Sequence, residues 1–310
     1  MAINKVAVLC GGDGREREVS LRSGEAVCKA LNEAGEFEAV KIDLQALSEI
    51  DKLNGYDGAF IAMHGDWGEG GVLQAKLEEL QIPYTGSGPK ASALAMNKYE
   101  AQELFAKNNI RTPENLVWPV KLDEVVAKLG PDIVVKPCSG GSTVGLSIIK
   151  NVNDEALTNA AKVASESYDS DVLIEKYIEG RELTCAVFER EGRAEALPII
   201  EIKHHAGFYD YANKYTAGAT EYIVPAKLDT KIASVISQMA VKAHEVLGCS
   251  GYSRSDFRLT PNGDAYILEV NTAPGMTATS LVPKAAKAIG ITMPEFVTMI
   301  MKMATCNKIC

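Results

Sequence analysis

The sequence predicts a mixed α/β and α+β fold, with an open parallel sheet domain at the N-terminus followed by two α+β units. Short apolar runs alternate with amphipathic stretches up to residue 88, which is the rhythm of a parallel α/β sheet. A Gly-Ser-Gly-Pro break at 86–89 ends that rhythm, and strand-length runs dominate the rest of the chain. With 310 residues and 46% hydrophobic content, the chain can form several cores. We therefore expect units at residues 1–88, 89–176 and 177–310.

The same patterns predict the individual elements. The first unit is expected to contain strands at 6–9, 39–42 and 59–63 and helices at 20–34 and 72–80. In the second unit, helices end near 108–109, and strands follow at 132–136, 147–150 and 172–177. In the third unit, strands at 183–189 and 196–201 precede a long polar and aromatic loop, a helix at 231–247 and a hairpin.

Composition excludes several classes of protein. A net charge of −9 argues against a nucleic-acid partner, although a few lysines can still bind a small anion. The longest apolar runs are strand-length and the N-terminus has no signal-peptide pattern, so we expect a cytoplasmic protein without a membrane partner. Seven scattered cysteines form no Cys-x-x-Cys pair, which favours free thiols.

A hairpin near the C-terminus is the most informative local feature. An Asn-Gly pair at 262–263 lies between two alternating apolar runs, which is the strongest short-range signal for a β-hairpin. A two-residue turn there sets Asp256 opposite Glu269 and Arg254 opposite Asn271 on one face. An odd loop length would break this register. The other face is then expected to hold a core made of Phe257, Leu259, Tyr266 and Leu268.

This register suggests a metal site. Two carboxylates directly opposite one another repel unless a cation lies between them. Asp256, Glu269 and Asn271 supply the oxygen ligands that Mg²⁺ prefers, with substrate phosphates completing its shell. The hairpin alone equally allows a solvated strand face, on which the carboxylates avoid each other or pair with Arg254.

Two lysines are candidate phosphate ligands. Lys136 ends a buried-type strand and precedes a glycine loop at 138–145 whose backbone N–H groups can face an anion. This is not a Walker A loop, because Leu146-Ser147 stands where Lys-Ser or Lys-Thr must follow. Lys98 begins a helix capped by Asn97, where a phosphate would offset the unfavourable helix dipole. A plain glycine hairpin and a solvated Lys98 remain open alternatives.

Motifs over nearly the whole chain fit one known family. The most specific is the string EVNTAPGMT at 269–277 with Ser280-Leu281. The others are Glu16-Arg17-Glu18-Val19-Ser20, His64-Gly65 with Gly68-Glu69, Gly86-Ser87-Gly88 with Lys98, Lys136-Pro137 with Gly141-Ser142, Glu175-Lys176 with Gly180 and Glu182, and Lys214-Tyr215. Together they resemble the D-alanine:D-alanine ligase family of the ATP-grasp superfamily.

The resemblance implies an ATP-grasp fold, in which the central and C-terminal α+β domains clamp ATP. It implies ligation of two D-alanine molecules to D-alanyl-D-alanine through a D-alanyl phosphate, with ADP and phosphate released, for peptidoglycan precursor synthesis. Mg²⁺, or Mn²⁺ in its place, is the implied metal. The family also implies a homodimer.

The matching positions carry the family's roles onto this chain. For the nucleotide, the resemblance implies Lys98, Lys136, Glu175, Lys176, Ile178, Glu182 and Lys214. For the metal, it implies Asp256, Glu269 and Asn271, which is the set that the hairpin register also selects. For the amino acids, it implies Glu16, His64, Lys214, Ser280 and Leu281. For catalysis, it implies Glu16, Ser142, Tyr215, Arg254 and Gly275, with a mobile loop at 203–221 closing over the site.

Three positions depart from the family pattern without removing a residue of assigned role. Gly14 and Gly70 replace a common Ser and Asp, and Cys138 stands where Ser is usual. An exposed Cys138 thiol would make the glycine loop sensitive to oxidation, whereas a packed thiol would be inert. Two alternatives stay open: an ATP-grasp enzyme with another nucleophile, such as D-lactate, and a nucleotide-binding module without turnover.

Overall fold

The structure, a computed structural model, describes residues 3–204 and 220–306. Its first sheet is parallel, in the order β2-β1-β3, with one helix crossing between β1 and β2. That helix ends at Gly35, whose φ of 75° is a left-handed conformation that glycine adopts without strain. The predicted parallel α/β sheet is therefore confirmed. Its elements are β1 (Lys5–Gly11), α1 (Arg17–Ala34), β2 (Glu38–Leu44), β3 (Gly58–Ile61), α2 (Asp66–Glu69) and α3 (Val72–Glu79), with a 3₁₀ helix at Leu47–Leu53.

The second sheet has four antiparallel strands in the order β4-β7-β5-β6. Two helices cover it, because Val125 and Leu129 of one and Leu157 of the other belong to the same buried cluster as the sheet residues. The elements are α4 (Pro89–Met96), α5 (Lys98–Lys107), β4 (Asn115–Val117), α6 (Leu122–Leu129), β5 (Ile133–Pro137), β6 (Ser147–Ile149), α7 (Asp154–Ser167) and β7 (Val172–Lys176).

The third sheet is antiparallel and has six strands in the part of the chain that the structure describes. Five run in the order β11-β10-β8-β12-β13, and β9 pairs with β8. The elements are β8 (Arg181–Arg190), β9 (Arg193–Ala196), β10 (Ile200–His204), β11 (Thr220–Ile223), α8 (Thr230–Val246), β12 (Tyr252–Leu259), β13 (Ala265–Asn271), α9 (Leu281–Ala288) and α10 (Met293–Lys302).

One predicted strand is wrong. The sequence predicts one continuous strand over 196–201, but β9 ends at Ala196 and β10 begins at Ile200. Pro198 lies between them and has no N–H to donate to a neighbouring strand. The chain therefore breaks there, although Leu197 N–H still donates to Ala186 O at 2.8 Å.

The cores join distant parts of the chain. Phe296 and Val297 of α10 pack in one cluster with Val27 and Leu31 of α1, so the C-terminal helices cover the first sheet. Phe105 of α5 packs in another cluster with strands of the third sheet. This packing holds helix α5 against the third sheet. The first residue of α5 reaches the second sheet. Among the described residues, no helix is both long and apolar enough to cross a bilayer.

Candidate active site

A cleft with a cavity volume of about 290 Å³ lies where residues of the second and third sheets face one another. Its walls include the glycine loop at 139–144, the ends of β5 and β7, and the paired strands β12 and β13. Eleven predicted site residues line it, namely Lys98, Lys136, Ser142, Glu175, Lys176, Ile178, Glu182, Arg254, Asp256, Glu269 and Leu281.

Lys98 is buried rather than solvated. It is the first residue of α5, which Asn97 caps by accepting the Glu100 N–H at 3.2 Å. Only 8% of Lys98 is exposed, and its ammonium donates to Gly140 O and lies 3.9 Å from the Glu269 carboxylate. Burial lowers the pKa of Lys98, since a charged ammonium is poorly solvated there. The start of helix α5 thus places the Lys98 ammonium between the glycine loop and the hairpin.

Lys136 enters the cleft as half of a buried ion pair. Its ammonium lies 2.8 Å from the Glu175 carboxylate, and the two residues are 5% and 2% exposed. Gln102 of α5 donates to the same carboxylate and to Leu268 O at 2.9 Å. These contacts tie β5 and β7 to α5 and β13. Lys176, unlike Lys136, is not buried. Its half-exposed side chain lies 3.5 Å from the Glu114 carboxylate at the surface.

The hairpin places the predicted metal ligands as expected. Asp256 pairs with Glu269 and Arg254 pairs with Asn271 in the β12–β13 register, so this part of the prediction is confirmed.

The turn behind it is not the predicted one. Thr260 N–H donates to Asp264 O at 2.9 Å, which closes a three-residue loop at 261–263 in which Gly263 has a φ of 89°. This three-residue loop shifts the register by one residue from the predicted one, so that Phe257 pairs with Ile267 and not with Leu268. A β-bulge between Asp256 and Phe257 then shifts it back.

The predicted core face of the hairpin is therefore half wrong. Ala265 and Ile267 of β13 are buried with Phe257 and Leu259, whereas Tyr266 and Leu268 are not. Leu268 and Glu269 are consecutive residues, yet both line the cleft. The bulge explains this, because it interrupts the alternation of faces along β13.

The donor set fits a hard divalent cation. Asp256, Glu269 and Asn271 offer carboxylate and amide oxygens, which are the ligands of Mg²⁺. The Asp256 oxygens accept from Arg254 at 2.9 and 2.8 Å and from the Thr184 hydroxyl at 2.6 Å. Asp256 therefore pairs with Arg254, which is an alternative that the hairpin sequence left open. A cation at Asp256 must share this carboxylate with Arg254.

The glycine loop connects the cleft to Glu16. Ser142 donates from its hydroxyl to the Glu16 carboxylate, although 126 residues separate them. Ser142 and Thr143 have φ values of 54° and 63°, a left-handed conformation that is uncommon for residues other than glycine. The structure therefore brings together Glu16, for which the resemblance implies a role in binding the first substrate, and the glycine loop that lines the cleft.

His64 lies between a backbone carbonyl of the 269–277 string and the hydroxyl of Ser23. Its Nδ1 lies 3.0 Å from Ala273 O, and its Nε2 lies 3.1 Å from Ser23 Oγ. A carbonyl oxygen only accepts, so Nδ1 donates to Ala273 O, and in the neutral ring Nε2 accepts from the Ser23 hydroxyl. Ser23 Oγ in turn accepts the Met276 N–H at 3.3 Å.

The remaining predicted residues lie next to one another. Ser280 immediately precedes α9, and its Oγ accepts the Thr277 N–H at 3.0 Å instead of capping the helix. A Cβ added to Gly275 would lie 3.1 Å from the same Oγ, so Gly275 lies beside Ser280, which Leu281 follows in the chain. Lys214 and Tyr215, by contrast, lie outside the described residues.

Sequence reasoning missed one candidate site residue. Glu69 is 6% exposed, and one carboxylate oxygen accepts the Gly65 N–H at 3.1 Å while the other has no partner in the described part of the chain. Burial, and then the nearby Glu16 carboxylate, raise the pKa of Glu69 to about 8. It lines a small cavity beside Lys98, Glu269 and Asn271. The motif Gly68-Glu69 was visible, but the burial of its carboxyl was not.

Cys138 is a packed thiol. It is 3% exposed, and burial, followed by the charge of Asp171, raises its pKa to about 11. A thiol with so high a pKa is almost entirely protonated at neutral pH and reacts slowly. The structure thus favours the inert alternative for this departure from the family pattern.

Comparison with known proteins agrees with the geometry. The family model "D-ala D-ala ligase C-terminus" matches residues 97–302. A D-alanine–D-alanine ligase of Cupriavidus taiwanensis is 42% identical over 308 residues, covering 98% of this chain and 93% of its own. A crystal structure of D-alanine–D-alanine ligase from Bacillus anthracis matches with a TM-score of 0.85 at 35% identity, covering 97% of each chain. Its ATP complex matches with a TM-score of 0.83 at 34% identity, covering 98% and 97%.

The three sheets and the cleft between two of them define the ATP-grasp fold, as the sequence resemblance predicted. ATP-dependent ligation is the class of activity that follows from this relationship. The chain belongs to the D-alanine–D-alanine ligase family.

Proposed function

We propose that the protein joins two D-alanine molecules into D-alanyl-D-alanine, converting ATP to ADP and phosphate, for peptidoglycan precursor synthesis. One observation carries the proposal. Asp256 and Glu269 face one another across a hairpin, in a cleft that also receives the buried ammonium groups of Lys98 and Lys136. Opposed carboxylates and buried cations are the charges that hold a metal-bound triphosphate. The names of the relatives supply the identity of the amino acid.

The cleft residues divide into a phosphate end and a base end. Lys98 and Lys136 hold phosphate oxygens, with Lys214 joining them. Lys176, Ile178 and Glu175 line the adenine pocket, where Glu175 acts through its backbone because its carboxylate is held by Lys136 and Gln102. Glu182 binds the ribose. Its carboxylate lies 3.4 Å from the Arg258 guanidinium, which holds it in position.

The metal ligands are Asp256, Glu269 and Asn271, and Mg²⁺ or Mn²⁺ is the metal. When bound, it neutralises charge on the phosphates. The chain's contribution is to hold three oxygens on one face of a hairpin while Lys98, 3.9 Å from Glu269, balances their charge. Removal of divalent cations with a chelator is expected to abolish turnover and leave the fold intact.

The first D-alanine is bound by its ammonium group on Glu16, with His64 nearby. Its carboxylate oxygen attacks the γ-phosphorus of ATP, and ADP leaves, which forms D-alanyl phosphate. The amine of the second D-alanine then attacks the acyl carbon, and phosphate leaves. Arg254 and the Gly275 N–H stabilise the oxyanion, while Ser280, the Leu281 N–H and Lys214 hold the second carboxylate.

Tyr215 closes the site in this proposal. The resemblance gives its hydroxyl a role beside Ser142, which donates to Glu16, and closure of the segment between β10 and β11 would exclude water that would hydrolyse the acyl phosphate. Tyr215→Ala is expected to lower the ratio of dipeptide formed to ATP consumed. An unchanged ratio would contradict this role.

The decisive experiment is phosphate release with a panel of D- and L-amino acids. Release that depends on D-alanine, with dipeptide formed in equal amount, supports the proposal. Release with D-alanine and D-lactate that yields only the ester would point to the depsipeptide-forming alternative. ATP bound without D-alanine-dependent ADP release would point to the nucleotide-binding module.

Three further proposals accompany the activity. The chain divides into units at 1–88, 89–176 and 177–310, with α5 packing onto the third unit's sheet. The enzyme works in the cytoplasm, where ATP and D-alanine are available, and uses no nucleic-acid or membrane partner. It forms a homodimer, as its family implies, and sedimentation of the purified protein tests this.

A further inference from the structure

The glycine loop of the cleft rests on the segment that leaves helix α7. We call residues 167–171 the α7 exit. Cys138 N–H donates to Asp171 O at 2.8 Å, and Ser139 N–H donates to Ser170 Oγ at 3.4 Å. The start of the loop is therefore anchored to the α7 exit by backbone donors.

Tyr168 of the α7 exit lies directly behind the middle of the loop. Its hydroxyl accepts the Gly141 N–H and donates to Gly141 O, both at 3.4 Å. A Cβ added to Gly140 would lie 2.4 Å from Cζ of this ring and 2.6 Å from each Cε. Only glycine lets the backbone approach so closely, and the φ of 92° at Gly140 also excludes most other residues.

The end of the loop meets the same segment. A Cβ on Gly145 would lie 2.7 Å from Ser167 Oγ, so a second glycine is required at a second close approach. Residues 139–144 line the cleft, whereas Tyr168 is not among the described residues that line it. The ring thus touches the back of the loop while the front faces the ligand space.

We propose that Tyr168 is a positioning residue that sets the distance of the glycine loop from the phosphate end of the cleft. It acts through Gly140 and Gly141 on their neighbour Ser142, which donates to Glu16. Lys98, which donates to Gly140 O, meets the same stretch from the cleft side. Tyr168 therefore holds the nucleotide loop and the first-substrate carboxylate in register. This inference rests on the proposed function.

The test compares Tyr168→Ala, Tyr168→Phe and a control, Leu157→Ala. Leu157 is 2% exposed in the core of the same helix, so its truncation weakens α7 packing without touching the loop. Amide hydrogen exchange is measured in the nucleotide-free enzyme, and the dissociation constant for ATP is measured by calorimetry. Steady-state KM and kcat are measured for ATP and D-alanine.

Tyr168→Ala is expected to speed exchange at residues 138–145 and to weaken ATP binding by about tenfold, because loop ordering then accompanies binding. Misplacement of Ser142 is expected to lower kcat by up to about 100-fold. Tyr168→Phe keeps the ring, so it should restore ATP binding to within about threefold of wild type. Leu157→Ala should lower the melting temperature while leaving loop exchange and ATP affinity unchanged.

Wild-type loop exchange and ATP affinity in Tyr168→Ala would overturn the inference, and so would equal changes in Leu157→Ala. Should Tyr168→Ala not fold, Gly140→Ala tests the contact from the loop side, since its methyl group would collide with the ring. Gly140→Ala with normal exchange and affinity would again overturn it. Failure of the wild-type enzyme to release phosphate with D-alanine would sink the proposed function instead, because exchange and ATP binding are measured without D-alanine.

Discussion

Arg254 donates to both carboxylate oxygens of Asp256, two residues along the same strand, at 2.9 and 2.8 Å. One residue is the proposed oxyanion donor and the other a proposed metal ligand. Both side chains are mostly buried, with 11% and 22% of their surfaces exposed, so each determines the charge that the other experiences. Changes at either residue should therefore affect both the metal and the acyl-transfer step.

Arg254→Ala is expected to lower kcat by about 100- to 1,000-fold, because one oxyanion donor is lost. The apparent affinity for Mg²⁺ should not fall, since Asp256 loses a competing cation. Dipeptide formation at a series of Mg²⁺ concentrations measures both effects. Arg111→Ala, which removes a half-exposed arginine paired with Asp264, is the control and should behave as wild type. Wild-type turnover in Arg254→Ala would remove this residue from the mechanism.

Lys136→Met is expected to destabilise the protein as well as weaken ATP binding. Glu175 would remain buried without its cation, and breaking such a pair typically costs about 3–5 kcal/mol. Lys41→Met breaks an exposed pair with Glu25 and should cost less than about 1 kcal/mol. Thermal unfolding without nucleotide compares the two. Equal shifts in melting temperature would show that the Lys136–Glu175 pair contributes no more than a surface contact.

Glu69 should make stability depend on pH. Its pKa is raised from 4.5 to about 8 in the folded protein, chiefly by burial. Between these values the folded protein keeps the proton and the unfolded chain releases it, so the free energy of unfolding falls as pH rises. Glu69→Gln cannot ionise. The melting temperature of Glu69→Gln should therefore rise relative to that of wild type as the pH increases from 5 to 8.

Glu33→Gln, at an exposed position on α1, is the control and should show no such gain. A difference between Glu69→Gln and wild type that stays constant over this range would mean that Glu69 is already ionised in the folded protein.

Cys138 should resist modification. Its burial and its pKa of about 11 leave little exposed thiolate at pH 8. Mass spectrometry after brief iodoacetamide treatment should find Cys306, which is more exposed, labelled before Cys138. Cys138→Ser should keep wild-type activity. Rapid labelling of Cys138 with loss of activity would instead identify the glycine loop as oxidation-sensitive.

The parallel sheet of the first unit could be read from the sequence because its signals are local. Each strand is a short apolar run, and Gly35 marks the end of α1. The hairpin register was correct at Asp256 and Glu269 although the turn was not, because the bulge compensates for the three-residue loop. Neither the loop closure nor the bulge has a distinctive residue pattern here, since Asn-Gly suits more than one turn.

The features that could not be predicted from the sequence depend on contacts between residues far apart in the chain. Tyr168 meets Gly140 only because α7 ends behind the loop, and nothing in the local sequence marks that contact. The burial of Lys98 depends on α5 packing against the third sheet. The Glu69 oxygen that has no partner within residues 3–204 and 220–306 likewise depends on how the first unit meets Lys98 and Asn271. Local patterns therefore predicted elements and their order, whereas burial and cross-unit contacts required the fold.

The bulge in β13 has a consequence for how compactly a binding site can be encoded. A regular strand alternates its side chains, so adjacent positions serve opposite faces and a site uses every second residue. At Leu268 and Glu269, two adjacent positions open into the same cleft. An apolar wall and the oxygen of a proposed metal ligand are thus only one peptide unit apart, and straightening this irregularity would separate them even if no side chain were replaced.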